Sequence, residues 1–474
     1  MAYDPTRQFR CDIVRTRAKK YIEEILSAYA KIIHDLCPCS EDEFIDGFNV
    51  QLKQYLDAIG QKADTKALNN HRTETAKTLF GMYFIDDKKV VYESQRTQKF
   101  LKDNDQPAFF KDICYKMQFP NGMTVNKNLE HRIENKIYCH PCRLVLAVLQ
   151  EAQTHGIKLR VREIGYYILN SLDALKGKAS AEEIVLCIEN DRQRGVVRTI
   201  ESGRNDPWDW EHIQGILNYL YLANLIEYSK SRKTRDREIT LNTHEAATIK
   251  IFVSNCFGPL EFDVYDTSSF PRETVNQRKQ FQLNWDKYNC ELSAESRNFY
   301  TLPSCLGIAS AASVAGVTKS KKIMTTAIGK AGESYVLDYE INLLKKSNPS
   351  LCSFVKNRAD ERGIGYDIES IELLGTKTAP KYIEVKTTTR ITPPSGRSFI
   401  DVVNLTRNEW KAAQEHKSAF YVYRVYLTKG KVYIYQLKNI LEKQTKSLVE
   451  IDAPIYEMRF DIGASGVIDH KSIV

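Results

Sequence analysis

The sequence predicts an α+β, multidomain protein with a mostly helical N-terminal region and an α/β C-terminal domain. The length of 474 residues exceeds what one ordinary hydrophobic core organises, so two or three domains are expected. Apolar residues recur at helical spacing in the N-terminal region, beginning with the face that includes Tyr21, Ile25 and Ile33. Near the C-terminus, Ile383 and Val385 alternate with polar residues, as in a strand buried on one side.

The first part of the chain contains clear helix and turn signals. The first helix is expected to end before Cys37-Pro38, because a residue that precedes proline disfavours helical backbone. Ser40-Glu41-Asp42-Glu43 is a capping-box pattern and predicts the start of a second helix. The apolar runs 82–85 and 90–92, separated by Asp86-Asp87-Lys88-Lys89, predict a hairpin. We assign residues 1–135 to a mostly helical domain with a hairpin.

Residues 136–250 have the order of elements expected of a winged-helix DNA-recognition module. Four helices are predicted, among them one that begins at the capping box Ser180-Ala181-Glu182-Glu183 and one over 208–222. Two short strands, 225–228 and 238–241, enclose a basic turn. The expected phosphate-binding cations are Lys230, Arg232, Lys233, Arg235 and Arg237, together with Arg204. The alternative is a small helical scaffold whose basic hairpin is only solvated.

Two segments compete for the role of base-reading helix in this module. One is the helix that ends near Arg192, Arg194 and Arg198, and the other is the segment Arg204-Asn205-Asp206 that leads into Trp208. The sequence does not decide between them. Residues 251–322 are expected to be a connector, because 307–316 are rich in small residues and basic residues follow. An Ala-rich helix is the alternative for that stretch.

The C-terminal domain, 323–474, contains the residues that point to chemistry. Gly365-Tyr366-Asp367-Ile368 is followed by Lys381-Tyr382-Ile383-Glu384-Val385-Lys386. In a strand, Glu384 and Lys386 share a face, and a neighbouring strand that begins near Asp367 would bring the two carboxylates together. Two carboxylates suffice for one Mg²⁺, and an ammonium beside it stabilises charge that develops on a phosphodiester. The alternative is an ordinary solvated strand with Glu-x-Lys alternation.

A third acid, Glu333, follows Gly329-Lys330-Ala331-Gly332 near the start of a predicted helix. Leu337, Ile341 and Leu344 lie four, eight and eleven positions beyond it, which predicts that Glu333 lies on the apolar stripe. A carboxylate on such a face is costly unless it is paired or directed at a metal. We therefore expect Glu333 to act as a water-mediated or second-metal ligand.

These three motifs, in this order, resemble the core of PD-(D/E)XK nucleases. Over about residues 325–440 the chain is similar to the subgroup found at the C-terminus of the plant NO VEIN protein, in which a helix like 408–413 and a strand like 419–425 follow the catalytic strand. The resemblance implies a Mg²⁺-dependent endonuclease. It implies Asp367, Glu384 and the Val385 carbonyl as metal ligands, Lys386 as the catalytic lysine and Glu333 as the helix acid. Tyr366 stands where many members have proline. Residues 135–245 also resemble, loosely, the recognition regions of type IIS restriction endonucleases.

Composition sets the class of partner. Lys and Arg number 68 against 60 Asp and Glu, and the net charge of +8 with clustered basic runs favours a polyanion as partner over a membrane. No apolar N-terminal leader and no long apolar stretch occur, so a cytoplasmic protein is expected. The eleven cysteines are expected to be reduced. Zinc is not expected, because Cys37 and Cys39 with Cys139 and Cys142 lack typical zinc-ribbon spacing.

The prediction is a restriction-type endonuclease, specific for a DNA sequence or a DNA modification, that hydrolyses phosphodiester bonds with Mg²⁺ or with Mn²⁺ in its place. Double-stranded DNA is the expected partner, and dimerisation on DNA is expected because one such site cuts one strand. The alternative from another class is a non-catalytic DNA-binding regulator whose nuclease-like domain is only a scaffold.

Overall fold

The computed structural model describes most of the chain. The described residues are 9–11, 13, 21–123, 126–198, 200, 207–230, 233–265, 274–308, 321–361, 363–394, 400–452, 456–461 and 466–469. These residues combine helices with several small sheets and one larger sheet. The expectation of a mixed α and β, multidomain protein is confirmed at this level.

The first part of the chain is mostly helical. Its elements are α1 (Ile22–Leu36), β1 (Cys39–Ser40), α2 (Glu41–Ala58), α3 (Thr65–Asn70), a π-helical segment (His71–Leu79), β2 (Tyr83–Ile85), β3 (Val90–Glu93), α4 (Gln95–Asp103), α5 (Gln106–Lys116) and α6 (Asn126–Glu134). The predicted end of α1, the hairpin β2–β3 and the capping box of Ser40 and Glu43 are all present. Strand β1 pairs with β3, so the hairpin forms a three-stranded sheet.

The middle of the chain surrounds a second small sheet with helices. Its elements are α7 (Pro141–Thr154), β4 (Leu159–Arg160), α8 (Val161–Glu163), a π-helical segment (Ile164–Leu169), α9 (Leu172–Leu175), α10 (Ala181–Gln193), α11 (Pro207–Leu222), β5 (Ile226–Tyr228), β6 (Glu238–Leu241), α12 (Ala246–Ser254) and α13 (Val275–Cys290). The strand order is β4–β6–β5, with antiparallel pairs. Ser180 and Glu183 form the predicted capping box at the start of α10.

The segment expected to be a connector, 251–322, contains structured elements in its described part. Helix α13 buries Trp285, which is 1% exposed, and short 3-10 helices follow at Ala294–Asn298 and Pro303–Leu306. Gly122 has no room for a side chain, because an added Cβ would lie 2.2 Å from the Trp285 ring. Residues 309–320, which include most of the small-residue stretch, lie outside the described residues. The connector and the Ala-rich helix therefore both stay predictions for this stretch.

The C-terminal domain is built on a six-stranded sheet. Its elements are α14 (Lys321–Ser347), a 3-10 helix (Pro349–Phe354), β7 (Lys356–Asn357), β8 (Ile368–Leu374), β9 (Lys377–Thr389), β10 (Ile400–Leu405), α15 (Arg407–His416), β11 (Phe420–Thr428), β12 (Lys431–Lys438), α16 (Ile440–Thr445), β13 (Val449–Asp452), β14 (Tyr456–Asp461) and β15 (Gly466–Asp469). The strand order is β15–β12–β11–β9–β8–β7, and β9 and β11 run parallel. Strands β10, β14 and β13 form a second sheet.

The two faces of the larger sheet pack against different helices. One apolar cluster joins α14 to Ile383 and Val385 of β9. A second cluster joins Trp410 of α15 to Phe420 and Val422 of β11. Because side chains alternate between faces along a strand, Glu384 and Lys386 face away from the α14 cluster. The sheet therefore places the Glu-x-Lys pair on the side where α15 begins.

The end of β9 makes direct contact with the N-terminal region. The backbone N–H of Thr389 donates to the carbonyl of Asn104 at 3.1 Å. Arg390, only 2% exposed, lies with Nη2 2.9 Å from Glu24 Oε1 and 3.7 Å from Glu23 Oε2. The chain that leaves β9, a few residues after Glu384 and Lys386, is thus held by side chains of α1.

Among the described residues, no helix is both long and apolar enough to cross a membrane.

Candidate nuclease site

The carboxylates of Asp367 and Glu384 meet where β8 begins. Ile368, the first residue of β8, pairs with Ile383 of β9, so Asp367 lies just beyond the paired ladder. Its Oδ2 accepts a hydrogen bond from the backbone N–H of Val385 at 2.8 Å. The charge of Asp367 also helps to raise the pKa of Glu384, as expected of two carboxylates that lie close together. The structure therefore brings together the two acids that the sequence pattern paired.

Lys386 lies between two carboxylates. Its Nζ is 2.8 Å from Glu384 Oε1 and 2.7 Å from Glu409 Oε2. Burial alone would lower the pKa of Lys386, but the charges of Glu384 and Glu409 outweigh it and raise the pKa above its usual value. The ammonium form is therefore the one that faces the two acids.

Burial raises the pKa of both acids. The pKa of Glu384, which is 4% exposed, rises well above its usual value because of burial, and the charges of Asp367 and Glu409 add to the rise while Lys386 opposes it. Burial also raises the pKa of Asp367, against the lowering effect of its hydrogen bond from Val385. Carboxylates whose charge is disfavoured in this way are stabilised in the ionised form by an added cation.

Glu333 lies near Asp367 on α14. Burial raises its pKa to about 7, and the charge of Asp367 adds to the rise while Lys330 opposes it. Its place on the helix differs from the sequence expectation, because Leu337 and Ile341 are only partly buried. Within the part of α14 whose side chains are described, the buried positions are Ala327, Ile328, Ala331, Gly332, Tyr335, Val336, Glu340 and Leu344. Glu333 thus flanks the buried stripe, and its role as a ligand stays a prediction.

The raised pKa of Glu333 predicts that this residue costs stability. An acid whose pKa is about 7 when folded and 4.5 ordinarily binds more protons in the folded state between these values. Stability therefore falls as pH rises through this window. We expect Glu333→Gln to be more stable than the natural chain at pH 8, by on the order of 1 kcal/mol after allowance for solvent screening. Calorimetric unfolding without divalent ions measures this, and an equal gain at pH 4 would contradict it.

Two glycines allow the close contacts that shape the site. Gly332 of α14 has no room for a side chain, because an added Cβ would lie 1.8 Å from Thr387 Oγ1 on β9. Gly365 has φ +79°, and an added Cβ would lie 2.3 Å from the carbonyl oxygen of Asn408 on α15. The first contact sets how closely the helix of Glu333 approaches β9. The second seats the turn before Asp367 on the start of α15.

We expect Gly365→Ala to destabilise the C-terminal domain by about 2–4 kcal/mol, from the left-handed backbone and the overlap with α15 combined. Gly375→Ala is the matched control, because Gly375 has φ +65° in the turn between β8 and β9 and no atom lies within 4 Å of its added Cβ. Thermal unfolding of both variants separates the two effects. Equal losses for both would show that the contact with α15 has no role.

Glu409 is the site residue that the sequence analysis did not single out. Its helix entered that analysis only as part of the resemblance. Thr406-Arg407-Asn408-Glu409 is a capping-box pattern, and the box is present at the start of α15. A capping role is enough to explain the pattern, so nothing in the sequence indicated the second contact, to Lys386.

The residues fit a divalent ion in part. Within the described part of the chain, no three His, Cys, Asp or Glu side chains are arranged to hold a metal ion. Asp367 and Glu384, however, offer buried carboxylate oxygens side by side, and Mg²⁺ commonly takes only one or two protein carboxylates. Val385, whose carbonyl is the expected backbone ligand, lies between Glu384 and Lys386 and donates its N–H to Asp367.

Four of the predicted DNA-binding cations are described by the structure, and they lie on and near the β5–β6 hairpin. Lys230 and Lys233 are exposed, and the guanidinium of Arg235 lies 4.2 Å from the centre of the Trp210 ring. Arg237 is partly buried at the start of β6. Arg232 and Arg204 lie outside the described residues. The described members therefore share one region of the surface, next to α11.

Two of the arginines considered for base reading are engaged in ion pairs within the protein. Arg192 lies 2.7 Å from Glu163, and Arg198 lies 2.6 Å from Asp191. The first contact joins the end of α10 to the end of α8, and the second joins the segment after α10 back to that helix. Arg194, the third candidate, is exposed. Base reading by this helix stays a prediction.

The four cysteines considered for zinc lie in two different surroundings. Cys139 and Cys142 are buried in the core, where Cys142 Sγ is 3.6 Å from Met117 Sδ. Burial raises the pKa of the Cys37 thiol to about 12, and Cys39 lies beside it. Burial of the thiols favours their neutral form in the absence of a metal, and the expectation of no zinc stays a prediction.

Comparisons with known proteins match the two parts of the chain separately. Residues 3–286 match the family model described as the N-terminal part of restriction endonuclease BpuJI. Residues 332–437 match the model of the C-terminal part of protein NO VEIN. A search among curated proteins found no match.

One solved structure is similar to the N-terminal part. It is the BpuJ1 endonuclease binding domain in complex with pyrene- and phenanthrene-modified DNA, with 37% identity and a TM-score of 0.56. The similarity covers 61% of this chain and 99% of that one. The family match over residues 3–286 includes the β5–β6 hairpin and ends before Asp367, Glu384 and Lys386.

Proposed function

The chain belongs to the family defined by the N-terminal part of restriction endonuclease BpuJI, and from this premise we propose that it is a Mg²⁺-dependent DNA endonuclease of the restriction type. The N-terminal region binds double-stranded DNA, and the C-terminal domain hydrolyses the phosphodiester. The observation that carries the catalytic half is the meeting of Asp367, Glu384 and Lys386 at the start of β8.

The similarity to the C-terminal part of NO VEIN supports this proposal, because it covers the four site positions on α14, β8 and β9. We propose that this domain is a PD-(D/E)XK nuclease. An Mg²⁺ ion, or Mn²⁺ in its place, would be held by Asp367, Glu384 and the Val385 carbonyl, and when bound it supplies a Lewis acid for the scissile phosphate. Glu333 would act through water or a second ion.

The side chains of this site have separate tasks in the proposed reaction. Asp367 and Glu384 supply the negative charge that draws the ion to the edge of the sheet. Lys386 offers a positive charge to the phosphate oxygens as negative charge develops on them, and orients the attacking water. Glu333, with its pKa of about 7, is able to hold or release a proton near neutral pH.

DNA binding is proposed for the module around the β4–β6–β5 sheet, which we interpret as a winged helix. The solved relative is described as an endonuclease binding domain in complex with DNA. Lys230, Arg232, Lys233, Arg235 and Arg237, together with Arg204, would contact phosphates and set the position of the duplex. Each such contact releases a condensed counterion, so affinity should fall steeply with salt. A homodimer on DNA would allow both strands to be cut.

The decisive experiment incubates the purified chain with Mg²⁺ and two DNA substrates, one unmethylated and one methylated. Cleavage of either substrate by the natural chain, and its loss in Lys386→Ala, supports the proposal. Lys411→Ala is the matched control, because Lys411 lies on α15 near the site but its side chain is 73% exposed. Undiminished cleavage by Lys386→Ala, or no cleavage with Mg²⁺ and with Mn²⁺, would overturn the catalytic proposal.

The second candidate is a DNA-binding regulator without catalysis. It is favoured by one observation, that the family match and the solved relative both concern a binding region and end before the carboxylate site. This candidate predicts tight binding to DNA with no change in the DNA after prolonged incubation with divalent ions. Gel-shift and cleavage assays on the same DNA pool distinguish the two functions.

A further inference from the structure

We propose that Glu409 is a positioning residue that holds Lys386 toward the substrate when Glu384 is engaged by the metal. This inference rests on the proposed nuclease function and adds a residue that neither the motif nor its spacing assigns. The side chain of Glu409 is 13% exposed, and its Oε2 lies 2.7 Å from Lys386 Nζ.

The carboxylate of Glu409 is fixed by the backbone of its own helix. Its Oε2 accepts from the N–H of Thr406 at 2.9 Å, and the N–H of Glu409 donates to Thr406 Oγ1 at 3.4 Å. The oxygen that holds Lys386 is therefore the one held by the start of α15. Because this arrangement needs no substrate and no metal, the position of Glu409 is set before either binds.

Glu384 is a poor sole partner for Lys386. In the structure its Oε1 lies 2.8 Å from Lys386 Nζ, but in the proposed enzyme the same carboxylate is a metal ligand. Lysine has a flexible four-carbon stem and loses considerable rotamer freedom when it is held in one place. With Glu384 engaged by a bound cation, Glu409 would be the carboxylate that keeps Lys386 in place.

Helix α15 also supports the other half of the site. The carbonyl of Asn408 lies against Gly365, two residues before Asp367. The residues Asn408 and Glu409 are consecutive, so the first turn of one helix contacts both the loop of the metal-binding acid and the catalytic lysine. The first turn of α15 thus supports Asp367 through the turn at Gly365, and Lys386 through Glu409.

Three variants separate positioning from helix capping. Glu409→Ala removes both contacts and should lower the single-turnover cleavage rate at saturating Mg²⁺ by about 100-fold, as expected when a reacting group is misplaced by about 1 Å. Glu409→Gln keeps a capping acceptor but loses the charge, and should show a smaller loss of about tenfold. Thr406→Ala weakens the cap and leaves the carboxylate, so its rate should stay within about twofold.

The effect should appear in the chemical step and should depend on Lys386. The affinity for DNA measured without divalent ions should be unchanged in Glu409→Ala. In a Lys386→Ala background, the Glu409→Ala change should cause little further loss. A rate loss in Thr406→Ala equal to that of Glu409→Ala, or fully additive losses with Lys386→Ala, would overturn the proposal.

Metal-free crystal structures provide a test that does not depend on activity, with Glu384→Ala standing for the state in which Glu384 no longer holds Lys386. We expect Lys386 Nζ to stay beside Glu409 in Glu384→Ala, and to move by more than about 1 Å from its natural position in the double variant Glu384→Ala/Glu409→Ala. An unmoved Lys386 in the double variant would overturn the positioning role. If the natural chain does not cleave DNA at all, the proposed function fails while this structural result still decides what Glu409 does.

Discussion

Glu384→Gln is expected to lower the cleavage rate by about a thousandfold while leaving the fold intact or more stable. The rate falls because Gln offers no negative charge to the divalent ion and leaves Asp367 as the remaining carboxylate of the proposed Asp367–Glu384 pair. Single-turnover cleavage with Mg²⁺ measures this loss. DNA affinity without divalent ions should remain, because the described members of the predicted phosphate-binding set, Lys230, Lys233, Arg235 and Arg237, lie on and near the β5–β6 hairpin and not at Glu384.

The free energy of unfolding of Glu384→Gln at neutral pH should rise, although its cleavage rate falls. Burial raises the pKa of Glu384 well above its usual value, so the ionised side chain costs folding free energy at neutral pH. Gln removes that cost, and Lys386 keeps Glu409 as partner. The difference from the natural chain should vanish at a pH below the ordinary pKa of glutamate, where the acid is protonated in both states.

The control for this prediction is Glu415→Gln. Glu415 lies on α15, its side chain is 58% exposed, and it pairs only loosely with Lys411 at 3.7 Å. Its replacement should change neither rate nor unfolding temperature beyond small surface effects. Retained cleavage in Glu384→Gln would remove Glu384 from the metal site. A rate loss that comes with a lower unfolding temperature would instead indicate a damaged fold.

The sequence predicted those features that depend on neighbours along the chain. Ser40 and Ser180 each form the predicted capping box, because such a box involves residues only three positions apart. The placement of Glu384 and Lys386 on one face of β9 follows from the alternation of a strand. The pairing of β8 with β9 was predictable from the sequence because a short turn joins the two strands. This pairing brings Asp367 beside Glu384.

The remaining features depend on contacts between distant parts of the chain. Glu23 accepts from the N–H of Ile391, a residue 368 positions away, and no local pattern indicates such a contact. The partial exposure of Leu337 and Ile341 arises because α14 lies over β9, with the buried polar residue Glu340 among its fully buried positions. The prediction from spacing assigned Leu337 and Ile341 to the buried stripe and did not include Glu340. The order of strands in the larger sheet is equally nonlocal.

Glu409 shows a different reason for a missed residue. Its local pattern was already accounted for by helix capping, so a second role added no signal to the sequence. Only the parallel pairing of β9 and β11, with α15 between them in the chain, brings Glu409 to Lys386. A polar residue that satisfies one structural rule is therefore still a candidate for a site, and its other contacts are revealed only by the fold.

Arg390→Ala is expected to destabilise the junction between the N-terminal region and the C-terminal domain by about 3–5 kcal/mol. Arg390 is 2% exposed, and its Nη2 lies 2.9 Å from Glu24 Oε1 and 3.2 Å from Thr392 Oγ1. Alanine removes the cation but leaves Glu23, which is 3% exposed, and Glu24 at the same place. Buried carboxylates without their cation are the source of the loss.

Calorimetric unfolding of the full chain measures this effect, and Arg407→Ala is the control, because Arg407 is exposed on α15 and its loss should stay within about 0.5 kcal/mol. A double replacement of Arg390 and Glu24 by alanine should recover part of the stability, since the two changes remove both charges of one pair. Losses that simply add would show that the two side chains act independently. Strand β9 carries Glu384 and Lys386 and ends directly before Arg390, so a weakened junction should also lower the cleavage rate. Near-natural cleavage by a destabilised Arg390→Ala would show that the site needs no support from α1.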